Sequence, residues 1–214
     1  MNPRWIKPLF FLLCLSPMLW IVGNALWGDL GANPVETVTF QTGDWALRLL
    51  LLTLGLTPLR QITGWSGWIR LRRMAGLFVY FYASSHFMIW FLADHSLDPV
   101  SMWNDVLERP YIALGFSAWL LLAPLAITST NGWMRRLGRR WKALHRLVYL
   151  ILLLAIAHYL WLVKADYLLA GIHAAIGALL LMWRVRPLLK NGVLSGEYRR
   201  GGLHSTPSSI KASH

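Results

Sequence analysis

Charged residues are scarce in this chain. Only 14% of its 214 residues are Asp, Glu, Lys or Arg, whereas a soluble domain has roughly 25%. Hydrophobic residues make up 56% of the chain, and the mean hydropathy is +0.46. This composition excludes a soluble globular protein. The formal net charge of +12 does not indicate a nucleic-acid partner, because too little polar sequence is present to form a water-facing basic patch.

Cysteine is almost absent as well. The single residue, Cys14, excludes an internal disulfide and any zinc or iron–sulfur site held by several cysteines of one chain. It lies in an apolar run, and we therefore expect a buried and unreactive thiol.

The sequence also lacks the motifs of nucleotide-dependent and hydrolytic enzymes. It contains no GxGxxG, Walker, HExxH or GxSxG motif, and it shows no inverted repeat of the kind found in secondary transporters. No soluble segment is long enough to hold a nucleotide-binding domain. Any chemistry must therefore take place inside, or at the edges of, a helical bundle.

Six apolar stretches can each cross a bilayer, which requires about 20 apolar residues. We predict an all-α integral membrane bundle of six transmembrane helices, at residues 9–27, 45–59, 74–93, 111–128, 147–163 and 167–183. The first is expected to be retained, because no small-x-small cleavage site interrupts its apolar core. The second is the least convincing, since it carries Arg48, Gly55 and Pro58 and is short unless it begins near Phe40.

The charges predict the orientation of these helices. Eighteen of the 21 Lys and Arg residues and one acidic residue, Glu197, fall on the side of both termini. The opposite side holds the other eight acidic residues with only Arg48, Arg109 and Lys164. Because cytoplasmic loops are enriched in Lys and Arg, we expect both termini in the cytoplasm. The net charge is then an orientation signal. Many of the 13 tryptophans fall near predicted helix ends, where they would anchor the helices.

The composition changes near residue 190. We predict a six-helix transmembrane domain over residues 1–190 and a disordered cytoplasmic tail over residues 191–214. The tail is rich in Gly, Ser and Arg and has little to bury. His204 and His214 belong to it and are poor candidates for any site.

Two intramembrane histidines are predicted at the same depth. His86 lies 13 residues beyond Arg73, or about 20 Å, and His158 lies 12 residues beyond Arg146, or about 18 Å. Both helices leave the cytoplasmic side in the same direction. Two neutral imidazoles on separate helices can bind a haem iron from both sides, which favours electron transfer. The alternative is that each histidine is only a hydrogen-bonded packing residue.

His145 precedes His158 by 13 residues, a spacing that would suit a second haem nearer the cytoplasm. A partner for His145 would lie about 13 residues before His86 on the third predicted helix, where the residues are Arg72 and Arg73. This helix therefore offers no histidine as the second ligand. His145 could instead ligate with an unusual partner, contact a propionate or a quinone, or be an interfacial basic residue.

Two further polar residues lie within predicted spans. His173 is at a depth similar to that of His158, and we expect it to be a packing residue rather than a ligand. Arg48 could bind a haem propionate, whereas the alternative is a salt bridge to Asp44 four residues earlier.

Four segments resemble the MsrQ family, also called YedZ, of the wider ferric-reductase-like transmembrane group. They are TGDWALRLLLLTLGLTPLR (42–60), IRLRRMAGLFVYFYASSHFMIW (69–90), RPYIALGFSAWLLLAPLAITST (109–130) and LGRRWKALHRLVYL with AHYLW (137–161). The resemblance covers roughly residues 9–190. Members of this family are haem-binding membrane subunits of a bacterial periplasmic protein-methionine-sulfoxide reductase system.

The resemblance implies a function in the inner membrane. The family takes electrons from the quinone pool or a cytosolic flavin reductase and passes them through haem b to a periplasmic molybdopterin enzyme, MsrP, which reduces methionine sulfoxide. The family's haem histidines match His86, His145 and His158. Family members are also described as carrying FMN, for which the sequence shows no motif. The chemistry on methionine sulfoxide is therefore expected on the partner.

Other functions remain compatible with the residues themselves. A cytochrome b module could reduce another extracytoplasmic acceptor such as ferric iron, and a haem-free scaffold or transporter could use the histidines for packing or proton relay. The outer loops at 28–44 and 93–110 are long enough to dock a partner. Because these loops are acidic, they predict a basic patch on it.

Overall fold

The computed structural model describes residues 5–28, 30–163 and 167–201, with side chains up to residue 185. Over these ranges the chain is entirely helical apart from its connections, which confirms the all-α prediction. The helices are α1 (Ile6–Trp27), α2 (Pro34–Thr63), α3 (Gly67–Ala93), α4 (Pro99–Glu108), α5 (Pro110–Ile127), α6 (Asn131–Leu137), α7 (Arg139–Leu144), α8 (Leu147–Leu162) and α9 (Tyr167–Gly201).

Five stretches are long and apolar enough to cross a membrane: Ile6–Trp27, Gly67–Ala93, Pro110–Ile127, Arg139–Leu162 and Tyr167–Val185. Their large apolar side chains lie mostly on the outside of the bundle, among them Leu13, Leu153 and Leu168. An apolar exterior of this extent is expected for a protein that faces lipid. The chain is therefore a multi-pass membrane protein.

Helix α2 has 30 residues, twice the length predicted for the second span. The apolar stretch in the sequence marked only the second half of this helix, because Glu36 and Asp44 interrupt the first half. Asn33 starts the helix by accepting a hydrogen bond from the Glu36 N–H at 3.3 Å, and Pro34 supplies the first helical residue. Gly64, at φ 70°, ends it in the left-handed conformation.

The predicted loops contain three short helices. The outer segment 93–110 forms α4, which Asp98 caps by accepting from the N–H groups of Val100 and Ser101. The basic segment 129–146 forms α6 and α7. The backbone of α9 is helical as far as Gly201, and the rest of the predicted tail, with His204 and His214, lies outside the described residues.

The core is centred on the pairing of α2 with α3, which α5, α8 and α9 surround. Tyr82 on α3 is fully buried there. Its hydroxyl donates to the Cys14 carbonyl and accepts from the Met18 N–H, both at 2.9 Å. These two groups of α1 would ordinarily bond to each other as residues i and i+4, so the hydroxyl is inserted into the helix. Cys14 is buried, as predicted.

The insertion takes place beside Pro17, which lies inside α1 and has no N–H to offer the Leu13 carbonyl. The Ser16 hydroxyl donates to that carbonyl instead, at 3.0 Å. Polar side chains thus complete the backbone hydrogen bonds that the proline interrupts, which hydrocarbon surroundings require.

Replacing Tyr82 with Phe should lower the free energy of unfolding by about 1–3 kcal/mol, because two buried backbone groups of α1 lose their partner. The measurement is denaturant unfolding in detergent. Tyr80→Phe, on the same helix but only half-buried, is the control and should be close to wild type. Equal stability of the two variants would contradict the role assigned to the Tyr82 hydroxyl.

Candidate haem-binding site

The structure brings His86 of α3 and His158 of α8 together. Their ring centroids are 6.3 Å apart, and the ring planes are inclined at 76°. A metal–imidazole bond is about 2 Å long and a ring nitrogen lies roughly 1.2 Å from its centroid, so two imidazoles on opposite faces of one iron have centroids about 6 Å apart. The observed separation therefore matches a bis-histidine iron site.

Both rings have the tautomer that such a site requires. The Nδ1 atom of His86 lies 2.8 Å from the carbonyl oxygen of Thr39 on α2, and that of His158 lies 2.6 Å from the carbonyl oxygen of Tyr111 on α5. A carbonyl can only accept a hydrogen bond, so Nδ1 carries the proton in each ring. Each Nε2 atom then presents a lone pair to a metal.

A glycine faces each imidazole. A Cβ placed on Gly43 would lie 3.0 Å from Nδ1 and Cε1 of His86, and one placed on Gly115 would lie 2.9 Å from the same atoms of His158. Glycine inside a helix costs roughly 0.5–1 kcal/mol relative to alanine. Here its missing side chain gives each ring access to a carbonyl one turn earlier on the neighbouring helix.

The two histidines line a cavity of about 580 Å³ between α2, α3, α5 and α8. This volume lies within the usual range of about 300–1,000 Å³ for cofactor sites. Most of the wall is apolar or aromatic. Phe87 stacks on Trp119 with centroids 4.2 Å apart, and the Trp119 Nε1–H donates to the Ser84 hydroxyl at 3.1 Å. A flat, largely apolar group with a central metal fits these residues.

The cavity opens on the side predicted to face outward, and this opening, which we call the outer mouth, is polar. Its lining there includes Glu36, Asp94 and Arg109. The Arg109 guanidinium is paired with Asp105 of α4 at 2.7 Å. His95 lies on the other side of Asp105, with Nε2 3.4 Å from the carboxylate. Helix α4 is thereby fastened beside the mouth.

Arg48, the residue considered for a propionate, is paired with Asp44. Its Nη2 atom lies 2.6 Å from Asp44 Oδ2, and its guanidinium is 5.0 Å from the centroid of the Trp45 ring. This is the salt bridge that the sequence left open as the alternative. Asp44 lines the cavity, whereas Arg48 is not among the lining residues. A contact between Arg48 and a propionate stays a prediction.

His145 lies apart from the other two histidines, at the end of α7. It stacks on Trp141, with centroids 3.9 Å apart, and its Nδ1 lies 3.1 Å from the Trp141 carbonyl oxygen. Its Nε2 atom is buried without a hydrogen-bond partner among the described residues. It does not line the cavity of His86 and His158, and its role as a ligand stays a prediction.

The remaining buried histidine has polar partners of its own. His173 donates from Nδ1 to the Leu169 carbonyl at 2.8 Å, and its Nε2 lies 3.7 Å from Asp44 Oδ1. It is not among the residues that line the cavity. These contacts fit the packing role expected from the sequence.

Sequence reasoning missed four members of the site. They are the two carbonyl acceptors and the two glycines: Thr39, Tyr111, Gly43 and Gly115. The carbonyls carry no sequence signal, because every residue has one. The glycines had a signal, since each interrupts an apolar helix at some cost in stability, but only the structure shows what each one faces.

Comparisons with known proteins agree with this geometry. Residues 42–156 match the family described as ferric reductase like transmembrane component. A relative from Ralstonia nicotianae (strain ATCC BAA-1114 / GMI1000) is 47% identical over 199 residues, which cover 90% of this chain and 92% of the relative. One from Bordetella pertussis (strain Tohama I / ATCC BAA-589 / NCTC 13251) is 50% identical over 185 residues, covering 84% and 88%. One from Xanthomonas campestris pv. campestris (strain B100) is 54% identical over 156 residues, covering 73% and 72%.

All three relatives are named protein-methionine-sulfoxide reductase heme-binding subunit MsrQ. The resemblance noted in the sequence is thereby confirmed over most of the chain. The chain belongs to the MsrQ family, within the ferric-reductase-like transmembrane group.

Proposed function

We propose that this chain binds haem b between His86 and His158 and transfers electrons across the membrane to a methionine-sulfoxide reductase. The observation that carries the proposal is the pair of facing imidazoles, 6.3 Å apart, each with Nδ1 held by a backbone carbonyl. The names of the relatives, which call them heme-binding subunits, support it.

When bound, haem supplies reversible one-electron chemistry at its iron. The residues of the chain provide the surroundings. His86 and His158 would both hold the iron, and no coordination position would then be open to a substrate. The apolar wall excludes water, and the Thr39 and Tyr111 carbonyls make the imidazoles stronger donors to the metal. Such a site passes electrons on and does not transform a bound substrate.

We infer six crossings, with both termini in the cytoplasm of a bacterial inner membrane. Helix α2 is the sixth, since it packs along α3 and is long enough to span. Its intramembrane charges Asp44 and Arg48 form an ion pair, which lowers the cost of placing them in a bilayer. The uneven distribution of Lys and Arg supports the orientation.

We propose a periplasmic molybdopterin enzyme, MsrP, as the acceptor, with reduction of methionine sulfoxide taking place on that partner. The relatives' names place them in a methionine-sulfoxide reductase. The quinone pool or a cytosolic flavin reductase is the proposed donor.

FMN, and a second haem involving His145, are proposed from the family resemblance only. Docking is assigned to α4 and the acidic outer mouth, beside the cavity.

Ferric iron as the acceptor calls for metal-binding residues at the outer surface. Among the side chains that the structure describes, in residues 5–28, 30–163 and 167–185, no group of three or more His, Cys, Asp or Glu could hold a metal ion. The relatives' names, which mention a methionine-sulfoxide reductase, support that enzyme as the acceptor.

The first test of the proposal is a visible spectrum of the purified protein. Wild type made with ample haem should show a reducible b-type absorption band, and His86→Ala and His158→Ala should each abolish it. His173→Ala, which removes a buried histidine outside the cavity, is the control and should retain the band. A colourless wild type, or a band that survives both substitutions, would refute the haem site.

The acceptor is tested in cells. Deletion of the gene should stop repair of oxidised methionine in envelope proteins and leave ferric reduction unchanged. Repair should return with a wild-type or His173→Ala copy and not with His158→Ala. If ferric reduction fell while repair continued, the acceptor would be iron instead.

The orientation is tested by cysteine labelling in intact cells with a membrane-impermeant maleimide. In a Cys14→Ser background, Ala32→Cys and Ser96→Cys should react from outside. Ser66→Cys, between α2 and α3, should react only after the membrane is opened. Labelling of Ala32→Cys and Ser66→Cys from the same side would show that α2 does not cross.

A further inference from the structure

The two halves of the haem site are built from one local pattern that recurs at a fixed spacing. His86 donates to the carbonyl of Thr39, 47 positions earlier, and His158 donates to the carbonyl of Tyr111, also 47 positions earlier. In each half a glycine follows the accepting residue by four positions, at Gly43 in the first. Each member of the first half precedes its counterpart by 72 positions.

The same spacing relates most of the cavity wall. Twelve pairs of lining residues are separated by 72 positions, and the lining residues outside these pairs all lie at the outer mouth. The identical pairs include Gly43 with Gly115, Ala46 with Ala118, and Ala83 with Ala155. The cavity is therefore formed by two copies of one unit, α2 with α3 and α5 with α8. Small residues recur in both copies, which leaves room for a flat ligand between them.

The repeat also shows where the halves differ. The position that corresponds to His145 in the first half is Arg73, whose guanidinium donates to the Asn131 side chain. An arginine of this kind has no lone pair for a metal. The repeat therefore supplies a pair of histidines at His86 and His158 only, and His145 has no histidine counterpart in the first half.

In each half the glycine determines how the imidazole can lie. Because glycine has no Cβ, the Nδ1 and Cε1 atoms of the ring can lie close to its Cα. A Cβ built on the glycine would lie only 3.0 Å from these atoms of His86, or 2.9 Å from those of His158. The ring edge then rests on the neighbouring helix with its N–H directed at the carbonyl one turn before the glycine. Each ring plane is set by its own pair of helices, and the two planes are crossed at 76°.

We propose that Gly43 and Gly115 are positioning residues, one in each half of the repeated site, that hold the two axial imidazoles in crossed planes with their Nδ1–H groups bonded to the Thr39 and Tyr111 carbonyls. This rests on the proposed function, since it assumes that both imidazoles bind the haem iron. The glycines act through the histidines and do not touch the metal.

Crossed imidazole planes have a spectroscopic signature. In low-spin ferric haem, perpendicular axial imidazoles leave the iron orbitals nearly degenerate, and the largest g value in the electron paramagnetic resonance spectrum rises above that of parallel imidazoles. The wild-type holoprotein should show such a strongly anisotropic signal. The hydrogen bond at Nδ1 increases the basicity of the imidazole and so favours the ferric state.

Gly43→Ala and Gly115→Ala are the test. Each added Cβ should push its ring aside and weaken the Nδ1 hydrogen bond. The largest g value should change in both variants, and the reduction potential of the haem should shift to more positive values in both. The measurements are electron paramagnetic resonance and a redox titration of the purified holoprotein, which a general loss of stability would not shift in this way.

Two glycines outside the site provide matched controls. Gly76 lies on α3 with His86 but faces Thr53 at 3.9 Å, and Gly171 on α9 has nothing within 4 Å of its Cβ position. Gly76→Ala and Gly171→Ala should keep the wild-type spectrum and potential. If all four variants match wild type, the glycines have no positioning role.

The histidine variants separate this inference from the proposed function. If His86→Ala and His158→Ala retain the haem band, the proposed function fails. If they lose it while Gly43→Ala and Gly115→Ala match wild type in g value and potential, only the positioning role fails.

A second measurement decides the matter if the alanine variants lose haem or do not accumulate. His86→Gly, supplied with free imidazole, should regain the wild-type signal, because one nitrogen of imidazole can bind the iron while its N–H donates to the Thr39 carbonyl. 1-Methylimidazole has no such N–H and should give a shifted signal and a more positive potential. Equal signals and potentials with the two ligands would overturn the proposal.

Discussion

The structure depends most on the hydrogen bond between an imidazole N–H and a helix carbonyl, made once by His86 and once by His158. Each bond fixes a tautomer, directs one nitrogen lone pair into the cavity and joins two helices of the bundle. A helix carbonyl is normally shielded by the side chain one turn later. Glycine at that position is what allows a second donor to reach it, so the site begins with two residues that have no side chain.

The charged residues around these hydrogen bonds are paired with one another. Asp44 is paired with Arg48 and lies near His173, while Arg109, Asp105 and His95 form a cluster at the outer mouth. Charges that lie within or beside a membrane are costly unless they are paired. The pairing permits α2, the most polar of the four helices that line the cavity, to form one of its walls.

Much of the site followed from elementary arithmetic on the sequence. The distribution of Lys and Arg predicted the direction of two helices, and the rise per residue then placed His86 and His158 at one depth. Their meeting required more than equal depth, because helices at the same level can face away from each other. Arg48 illustrates the limit: its sequence position allowed a propionate or Asp44, and only the packing shows that the Asp44 carboxylate lies 2.6 Å from its guanidinium. The propionate contact stays a prediction. The start of α2 was misplaced because Glu36 and Asp44 lower the hydropathy of its first half.

The sequence by itself determined that this protein lies in a lipid membrane, and it determined which types of residue are available for chemistry. Hydropathy and charge act locally, through transfer free energies that hardly depend on distant neighbours. The long apolar helices, the histidines and the lack of any other redox motif could therefore be read directly, whereas the start of α2 and the short helices α4, α6 and α7 could not. The tertiary structure decided which groups meet. The 6.3 Å separation of the imidazoles, their carbonyl partners and the use of Gly43 and Gly115 all depend on contacts between helices distant in the chain. Such contacts form only when the helices pack together.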